Sequence, residues 1–416
     1  MSLTTIWADV DENGRLVLPP DVLKQYGIEP GTRLRLETDQ NKIHLHRPIT
    51  HLAKLYIETT NICNIDCVTC MRNSWLVDEG LMSDETFDHI LASLERIGPP
   101  LSLTFMGIGE PLAHPRTVDM IARIKALGMR VEMVSNGTLL TEKRARGLIE
   151  AGLDVLWISI DGAKPESYAD VRLGAQLPLV LENLERFRRL RRPRHKPTPE
   201  IGIAFVAMKR NIADLPAVLE MGKRLGASRF SVSNLLPYSK NMTDEVLYER
   251  TLTSITYTPS PWLRTLNLPK MDFDKYTSEA LLKAFQSGYN VSFAGNNMGQ
   301  SNDVCTFIED GSMAIKWDGD VAPCPPLAHT HTGYLRGYAR LSKAHLVGNV
   351  RERDLRDIWL DDAYVAYRDR VHRFAFAPCT ACGGCEMSRD NETDCFDNPA
   401  PACGGCLWAQ GVIQCP

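Results

Sequence analysis

No stretch of this chain approaches the ~20 consecutive apolar residues that a membrane-spanning helix needs. Nor does it carry charge of one dominant sign: 47 Lys and Arg face 51 Asp and Glu, a net charge of −4. That near balance gives no support to a nucleic-acid or membrane-surface binder. The opening residues, Met1 to Trp7, have no basic segment followed by an apolar one. No secretory leader is apparent, and a cytoplasmic location is expected. What the chain does have is cysteine, twelve of them in 416 residues. Disulfides are rare in the cytoplasm, so the thiols point to metal. Nine lie after residue 300, and seven of those fall between Cys379 and Cys415. The 44% hydrophobic and 24% charged content is that of a globular protein, long enough for two or three domains with substantial cores.

The most informative spacing is Cys63-x3-Cys67-x2-Cys70, which follows a strand-like segment, Lys54 to Thr59. Thiolates are soft ligands suited to iron–sulfur clusters. Three thiolates on a four-iron cubane leave one iron open, and an open metal position is where chemistry can occur. A zinc loop or three inert thiols is the plainer alternative.

Residues 52–238 alternate strand and helix. Strands read at 54–59, 101–106, 130–135, 154–160, 200–207 and 228–234. Phe87, Ile90, Leu91 and Leu94 recur at helical spacing behind a Ser83 N-cap. Six βα units imply a parallel sheet with right-handed crossovers. An α/β fold, a partial (βα)6 barrel, is expected over 49–238, with a helical connector at 239–302 and a metal-dependent Cys-rich domain at 303–416. In such barrels the site lies at the carboxyl ends of the strands.

The cysteine spacing and its place after the first strand resemble the radical SAM family. There the open iron of a 4Fe-4S cluster binds S-adenosyl-L-methionine. Reductive cleavage then yields a 5′-deoxyadenosyl radical that abstracts a substrate hydrogen. The resemblance makes Cys63, Cys67 and Cys70 the catalytic cluster ligands. Gly107-Ile108-Gly109-Glu110-Pro111 is similar to the family's GxGEP motif, which implies that Gly107, Gly109, Glu110 and Pro111 hold the methionyl amine. Asn136 stands in Ser135-Asn136-Gly137-Thr138 after the third strand, a weak signal alone. Ser159-Ile160-Asp161-Gly162 and Arg172 resemble the family's SxDG…R. They imply that Ser159 and Arg172 meet the methionyl carboxylate; Asp161 orients the ribose or caps the loop. Leu236, past the sixth strand, falls where the family cradles adenine with backbone. A surface salt bridge is the plain alternative for Arg172.

Cys305-x13-Gly319-x4-Cys324 and the segment Gly348–Trp359 resemble the SPASM extension of radical SAM enzymes. The usual cysteine order then departs: Cys379-x2-Cys382-x2-Cys385, Cys395, Cys403-x2-Cys406, Cys415. Nine cysteines complete two auxiliary four-thiolate clusters with one to spare, or leave one cluster with an open iron. Cys379, Cys382, Cys403 and Cys406 alone would suit a zinc ribbon.

Residues 1–48 form a separate β-rich unit resembling the AbrB-like swapped-hairpin fold. That resemblance implies a homodimer through this domain. Six Lys and Arg against seven Asp and Glu give it −1, too little positive charge for phosphate binding, so DNA binding is not expected. The whole resembles radical SAM maturases associated with tungsten-cofactor oxidoreductases. It implies an enzyme acting on a peptide or protein substrate, supplied with electrons by a donor such as ferredoxin or flavodoxin. Small-molecule chemistry in cofactor biosynthesis, or an iron–sulfur regulator that binds DNA through the head, are the alternatives. Seven Lys and Arg within 186–196 read as a solvated helix end or an acidic-peptide dock. His329 and His331, close after Cys324, are read either as ordinary loop histidines or as contacts to a cluster or an incoming peptide, and Tyr334, Tyr338 and Trp408 are candidates to line a pocket.

Overall fold

The computed structural model describes residues 6–38, 43–75, 77–98, 101–191, 198–248, 265–268, 276–277, 280, 290–293, 296–297, 305–377, 379–380 and 385–415. Six parallel strands form its centre: β1 Lys54–Ile57, β2 Ser102–Phe105, β3 Arg130–Ser135, β4 Val155–Ser159, β5 Glu200–Ala207 and β6 Ala227–Asn234. Each pairs in parallel with its neighbour in sequence, as six βα units demand. Helices α1 Asp84–Ile97, α2 Thr117–Ala126, α3 Glu142–Glu150, α4 Pro165–Val171, α5 Leu177–Leu190 and α6 Leu215–Arg224 lie between them. In α1 the Ser83 side chain accepts from Thr86 N at 3.1 Å, and Phe87, Ile90 and Leu94 are buried. The N-cap and the apolar stripe thus fix where the helix starts and which face it buries. Val155 to Ile158 of β4 are all buried, as expected where helices cover a parallel sheet, whereas β6, at the sheet edge, has no buried residue.

The sheet continues past β1 with chain from the C-terminal half. Strand β7, Ser312–Ile315, pairs with β1 in parallel, and β8, Asp320–Ala322, pairs with β7 antiparallel. After the hairpin β9 His331–Leu335 and β10 Tyr338–Ser342, β11 Gly348–Asn349 closes this edge against β8. The Cys-rich region is therefore built onto the first barrel strand. A division at residue 303 separates chain, not sheet. Behind it, α7 Leu355–Trp359 leads into α8 Asp362–Arg373. Arg368 is fully buried there, its guanidinium 3.6 Å from the Trp359 ring centroid and donating to the Ile49 carbonyl.

The helical connector expected at 239–302 lies mostly outside the described residues. Its described part includes a 3-10 turn, Lys240–Glu245, and strands Thr265–Leu268, Asn290–Phe293 and Asn296–Asn297 in one sheet. Thr265-Leu-Asn-Leu268 and Asn290-Val-Ser-Phe293 alternate polar and apolar residues, the period of a strand. The basic run does not present a uniform charged face. Arg191 is buried and donates to the Pro199 carbonyl at 2.6 Å, and Arg188 pairs with Glu185 at 2.8 Å. Arg192, Arg194 and Lys196 lie outside the described residues.

The N-terminal unit has two antiparallel hairpins, Asp9–Val10 with Leu16–Val17 and Leu36–Thr38 with Ile43–Leu45, around a helix Pro20–Gln25. That helix buries none of its residues, and Trp7, Val10 and Ile43 are 85%, 67% and 75% exposed. No helix among the described residues is long and apolar enough to cross a membrane.

Candidate active site and metal centres

The loop that carries Cys63, Cys67 and Cys70 leaves the carboxyl end of β1 and is held from several sides. Asp66–Cys67 pair antiparallel with Arg172–Leu173. Val68 N donates to the Val171 carbonyl at 3.0 Å, and Asn73 Nδ2 to the Cys67 carbonyl at 2.9 Å. The three thiols lie close enough to feel one another electrostatically; burial pushes Cys67 up and Cys70 up to about 12. Such thiols are poor nucleophiles at neutral pH and bind by giving up their protons to a metal.

The glycine-rich turn after β2 packs against this loop. Glu110 N donates to the Ile62 carbonyl at 2.9 Å. A Cβ on Gly109 would stand 2.3 Å from the Thr60 carbonyl oxygen, and one on Gly107 would stand 2.5 Å from the Glu58 side chain. Only glycine allows that approach. Pro111 is buried at the start of the next turn. Glu110 is 2% exposed and accepts from Leu112 N, Ser135 Oγ and Asn136 N at 3.0, 2.8 and 2.7 Å. Burial raises its pKa, and these three donors oppose the rise. Asn136 also points Nδ2 at Cys63 Sγ, 3.8 Å away. The first three strand ends are thus one hydrogen-bonded unit.

Ser159 ends β4, beside Ala204 of β5. Asp161 is fully buried; Oδ1 accepts from Val206 N at 2.7 Å, and Oδ2 lies 2.7 Å from Arg172 Nη2. Arg172 Nη1 is 3.7 Å from Cys67 Sγ. Burial disfavours the Arg172 charge, but Asp161 and Cys67 outweigh it, and its pKa moves up. The surface-salt-bridge reading of Arg172 does not hold, because the side chains are 10% and 0% exposed. Leu236 turns its side chain toward Gly333 and packs against the small core that includes Leu335 and Leu407.

Behind Cys70 and Gly107 lies a cavity of about 220 Å³, lined also by Tyr56, Tyr238, Lys316 and Trp408. Glu58 and His329 form its polar wall. His329 Nε2 is 2.9 Å from Glu58 Oε1, and Ile108 N donates to Glu58 Oε2 at 3.2 Å. The Trp75 ring meets His329 edge to face at 4.6 Å. A carboxylate coupled to an imidazole at a cavity wall can hold or pass a proton. Sequence reading missed Glu58; the signal was an acid ending an apolar strand just before the cysteine loop.

The C-terminal cysteines divide. Cys305, Cys324, Cys403 and Cys406 line one cavity. Burial raises all four thiols, Cys403 to about 12, and each of Cys305, Cys403 and Cys406 raises Cys324 further. Four convergent thiols in an apolar pocket fit a four-thiolate iron–sulfur cluster. Tyr367 Oη is 3.4 Å from Cys403 Sγ, and Tyr334 and Trp408 also line this cavity. Tyr338 packs in the small core beside it. His331 lines it too; burial lowers its pKa to about 4, so the ring is neutral at neutral pH. Cys379 is buried, and Cys385 and Cys395 are exposed; none of the three lines this cavity. Cys382 lies outside the described residues. The zinc-ribbon grouping therefore does not match the fold, which places Cys403 and Cys406 with Cys305 and Cys324. Cys415 lines the cavity beside Cys70 instead.

A three-thiol loop at the carboxyl end of the first of six parallel βα units, followed by a Cys-rich extension, defines a radical SAM enzyme of the SPASM class. The Radical SAM superfamily model matches residues 57–221, the SPASM iron–sulfur cluster-binding domain 305–386, and the MazE antitoxin family 10–52. These families imply 4Fe-4S clusters and S-adenosyl-L-methionine as cofactors. The chain belongs to the family of the tungsten-containing aldehyde ferredoxin oxidoreductase cofactor-modifying protein of Pyrococcus furiosus. It is 31% identical to that protein over 366 residues, 87% of this chain and 96% of the other. The AdoMet-dependent heme synthase of Methanosarcina barkeri is 26% identical, covering 83% and 94%. In fold the chain is similar to Streptococcus suis SuiB bound to its precursor peptide SuiA, with TM-score 0.52 and 16% identity over 80% of this chain and 70% of that one. Cysteines 395–415 lie beyond the matched SPASM segment, where the sequence departs from the usual cysteine order.

Proposed function

We propose that this enzyme matures a tungsten-cofactor oxidoreductase by modifying its polypeptide. The similarity to the Pyrococcus protein along nearly its whole length carries the link to a tungsten oxidoreductase, and the likeness in fold to SuiB, solved with its precursor peptide, supports a polypeptide target. Cys63, Cys67 and Cys70 would hold the cluster, which together with S-adenosyl-L-methionine would supply the abstraction of a hydrogen atom from the substrate. Gly107 and Gly109 let the methionyl end approach the backbone, Pro111 fixes the turn, and Glu110 accepts from its amine. Ser159 and Arg172 face its carboxylate, for which the planar guanidinium is suited. Asp161 acts through Arg172, Asn136 fixes the Cys63 side of the loop, and the backbone at Leu236 meets the adenine. Cys305, Cys324, Cys403 and Cys406 would hold one auxiliary cluster, and Cys379, Cys382, Cys385 and Cys395 a second, leaving Cys415 as the spare thiol in the cavity beside Cys70. A ferredoxin or flavodoxin delivers the electrons. Oxidoreductase produced without the enzyme, then incubated with it, S-adenosyl-L-methionine and reductant, should show a mass change in a mapped peptide. A change confined to the extracted cofactor would instead support the second reading, small-molecule chemistry, which the names of the Pyrococcus cofactor-modifying protein and of the heme synthase favour.

The head domain is read as a dimerisation module. Its exposed Trp7, Val10, Leu36 and Ile43 form an apolar set that a second hairpin pair would cover. Deleting residues 1–48 should convert a dimer to a monomer in analytical ultracentrifugation while S-adenosylmethionine cleavage persists. A full-length monomer would end this reading.

A further inference from the structure

Away from the cysteine cavities, three side chains converge from distant parts of the chain. His46 follows the last head strand, Glu309 ends the helical turn Thr306–Glu309, and His372 lies in the last turn of α8. The Glu309 carboxylate bridges the other two, with Oε1 2.8 Å from His372 Nε2 and Oε2 3.3 Å from His46 Nδ1. Candidate ligand atoms of the three residues lie within 4.8 Å of one another, and the two imidazoles meet edge to face. Both histidines are 8% exposed.

Hydrogen bonding alone leaves this group in conflict. A neutral imidazole offers one donor and one acceptor, yet His46 faces a carboxylate at each nitrogen. Glu309 stands at Nδ1, and Glu37 Oε2 is 3.2 Å from Nε2. That buried Nε2 makes no hydrogen bond of acceptable angle. With neutral His46, one lone-pair nitrogen opposes a carboxylate oxygen. A divalent cation at Nδ1 removes the opposition and leaves Nε2–H for Glu37, the outer carboxylate contact that metal-bound histidines usually have. Two imidazoles and a carboxylate are a donor set suited to zinc or ferrous iron.

We propose that His46, Glu309 and His372 form a mononuclear divalent-metal site that fastens the head domain to the cluster-bearing region. Its ligands reach directly into that region. Glu309 N donates to the carbonyl of Cys305 at 2.9 Å, and α8 also carries Tyr367, which touches Cys403. Arg35 of the head donates to the His372 carbonyl beside it. A metal here therefore fixes the head against two elements that frame the four-cysteine cavity. The inference is independent of the substrate reading.

The test uses the full-length protein with its iron clusters assembled, stripped of loosely held metal by a chelator, supplied with Zn²⁺ alone and desalted. Zinc K-edge absorption should show a shell of nitrogen and oxygen near roughly 2.0–2.1 Å, without the sulfur shell near ~2.3 Å that cysteine-bound zinc gives. His46→Gln and His372→Gln should each lose the zinc and keep the iron. Glu37→Gln should weaken zinc binding by about 10-fold or more through the outer contact. Should a variant not fold, the wild-type spectrum still decides. No retained zinc, a sulfur shell, or unchanged zinc in both histidine variants would overturn the site. The cluster would then be a His46 imidazolium held between two carboxylates.

Discussion

Alanine at Cys63, Cys67 and Cys70 together is expected to abolish 5′-deoxyadenosine formation and to leave iron bound at the C-terminal cysteines. The separation follows from where the thiols lie. The first three sit on one loop after β1, while Cys305, Cys324, Cys403 and Cys406 line their own cavity. Backbone pairing of Asp66–Cys67 with Arg172–Leu173 and the Glu110 bond to Ile62 do not involve the sulfurs, so the loop should keep its course in the triple variant. Iron analysis and circular dichroism check that the fold and the auxiliary iron survive. Undiminished cleavage would remove these cysteines from the active site.

The largest stability effect is expected at Asp161. Its carboxylate is the partner of the buried Arg172 guanidinium and also accepts from Val206 N. Asp161→Asn retains an acceptor for Val206 but leaves Arg172 charged and uncompensated in the interior. Removing one partner of a buried pair costs about 3–5 kcal/mol. Denaturant unfolding should register a loss of that order, and S-adenosylmethionine binding should weaken as Arg172 loses its orientation. Asp161→Leu with Arg172→Met removes both charges. It should recover part of the stability, short of the bond lost from Val206 N, without recovering the binding, which separates a packing role from a ligand role. Wild-type stability in Asp161→Asn would show that the pair contributes nothing in the interior.

The chemistry was legible where residue type and spacing act locally. Cys63-x3-Cys67-x2-Cys70, the glycines before Glu110 and the six strand segments are local patterns, and each stands where the pattern put it. Non-local facts were not legible. Strand β7 is four residues, Ser-Met-Ala-Ile, and nothing in them says that they will extend the sheet at β1 across more than 250 residues of chain. The division of the C-terminal cysteines likewise depends on tertiary folding: Cys403 and Cys406 join Cys305 and Cys324, and Cys415 turns to Cys70. Arg191 read as one more cation in a basic run, yet the Pro199 carbonyl and the Phe187 ring enclose it. Glu58 looked like an ordinary strand residue because its partner, His329, is 271 positions away.

Transfer of deuterium tests the central claim most directly. The cognate tungsten oxidoreductase would be prepared with a deuterated polypeptide and an unlabelled cofactor, then incubated anaerobically with this enzyme, reductant and S-adenosylmethionine. The 5′-deoxyadenosine formed should carry deuterium, because the hydrogen is taken from the polypeptide. Unlabelled 5′-deoxyadenosine here, with deuterium appearing only when the cofactor is the labelled component, would contradict the account and assign the enzyme to small-molecule chemistry.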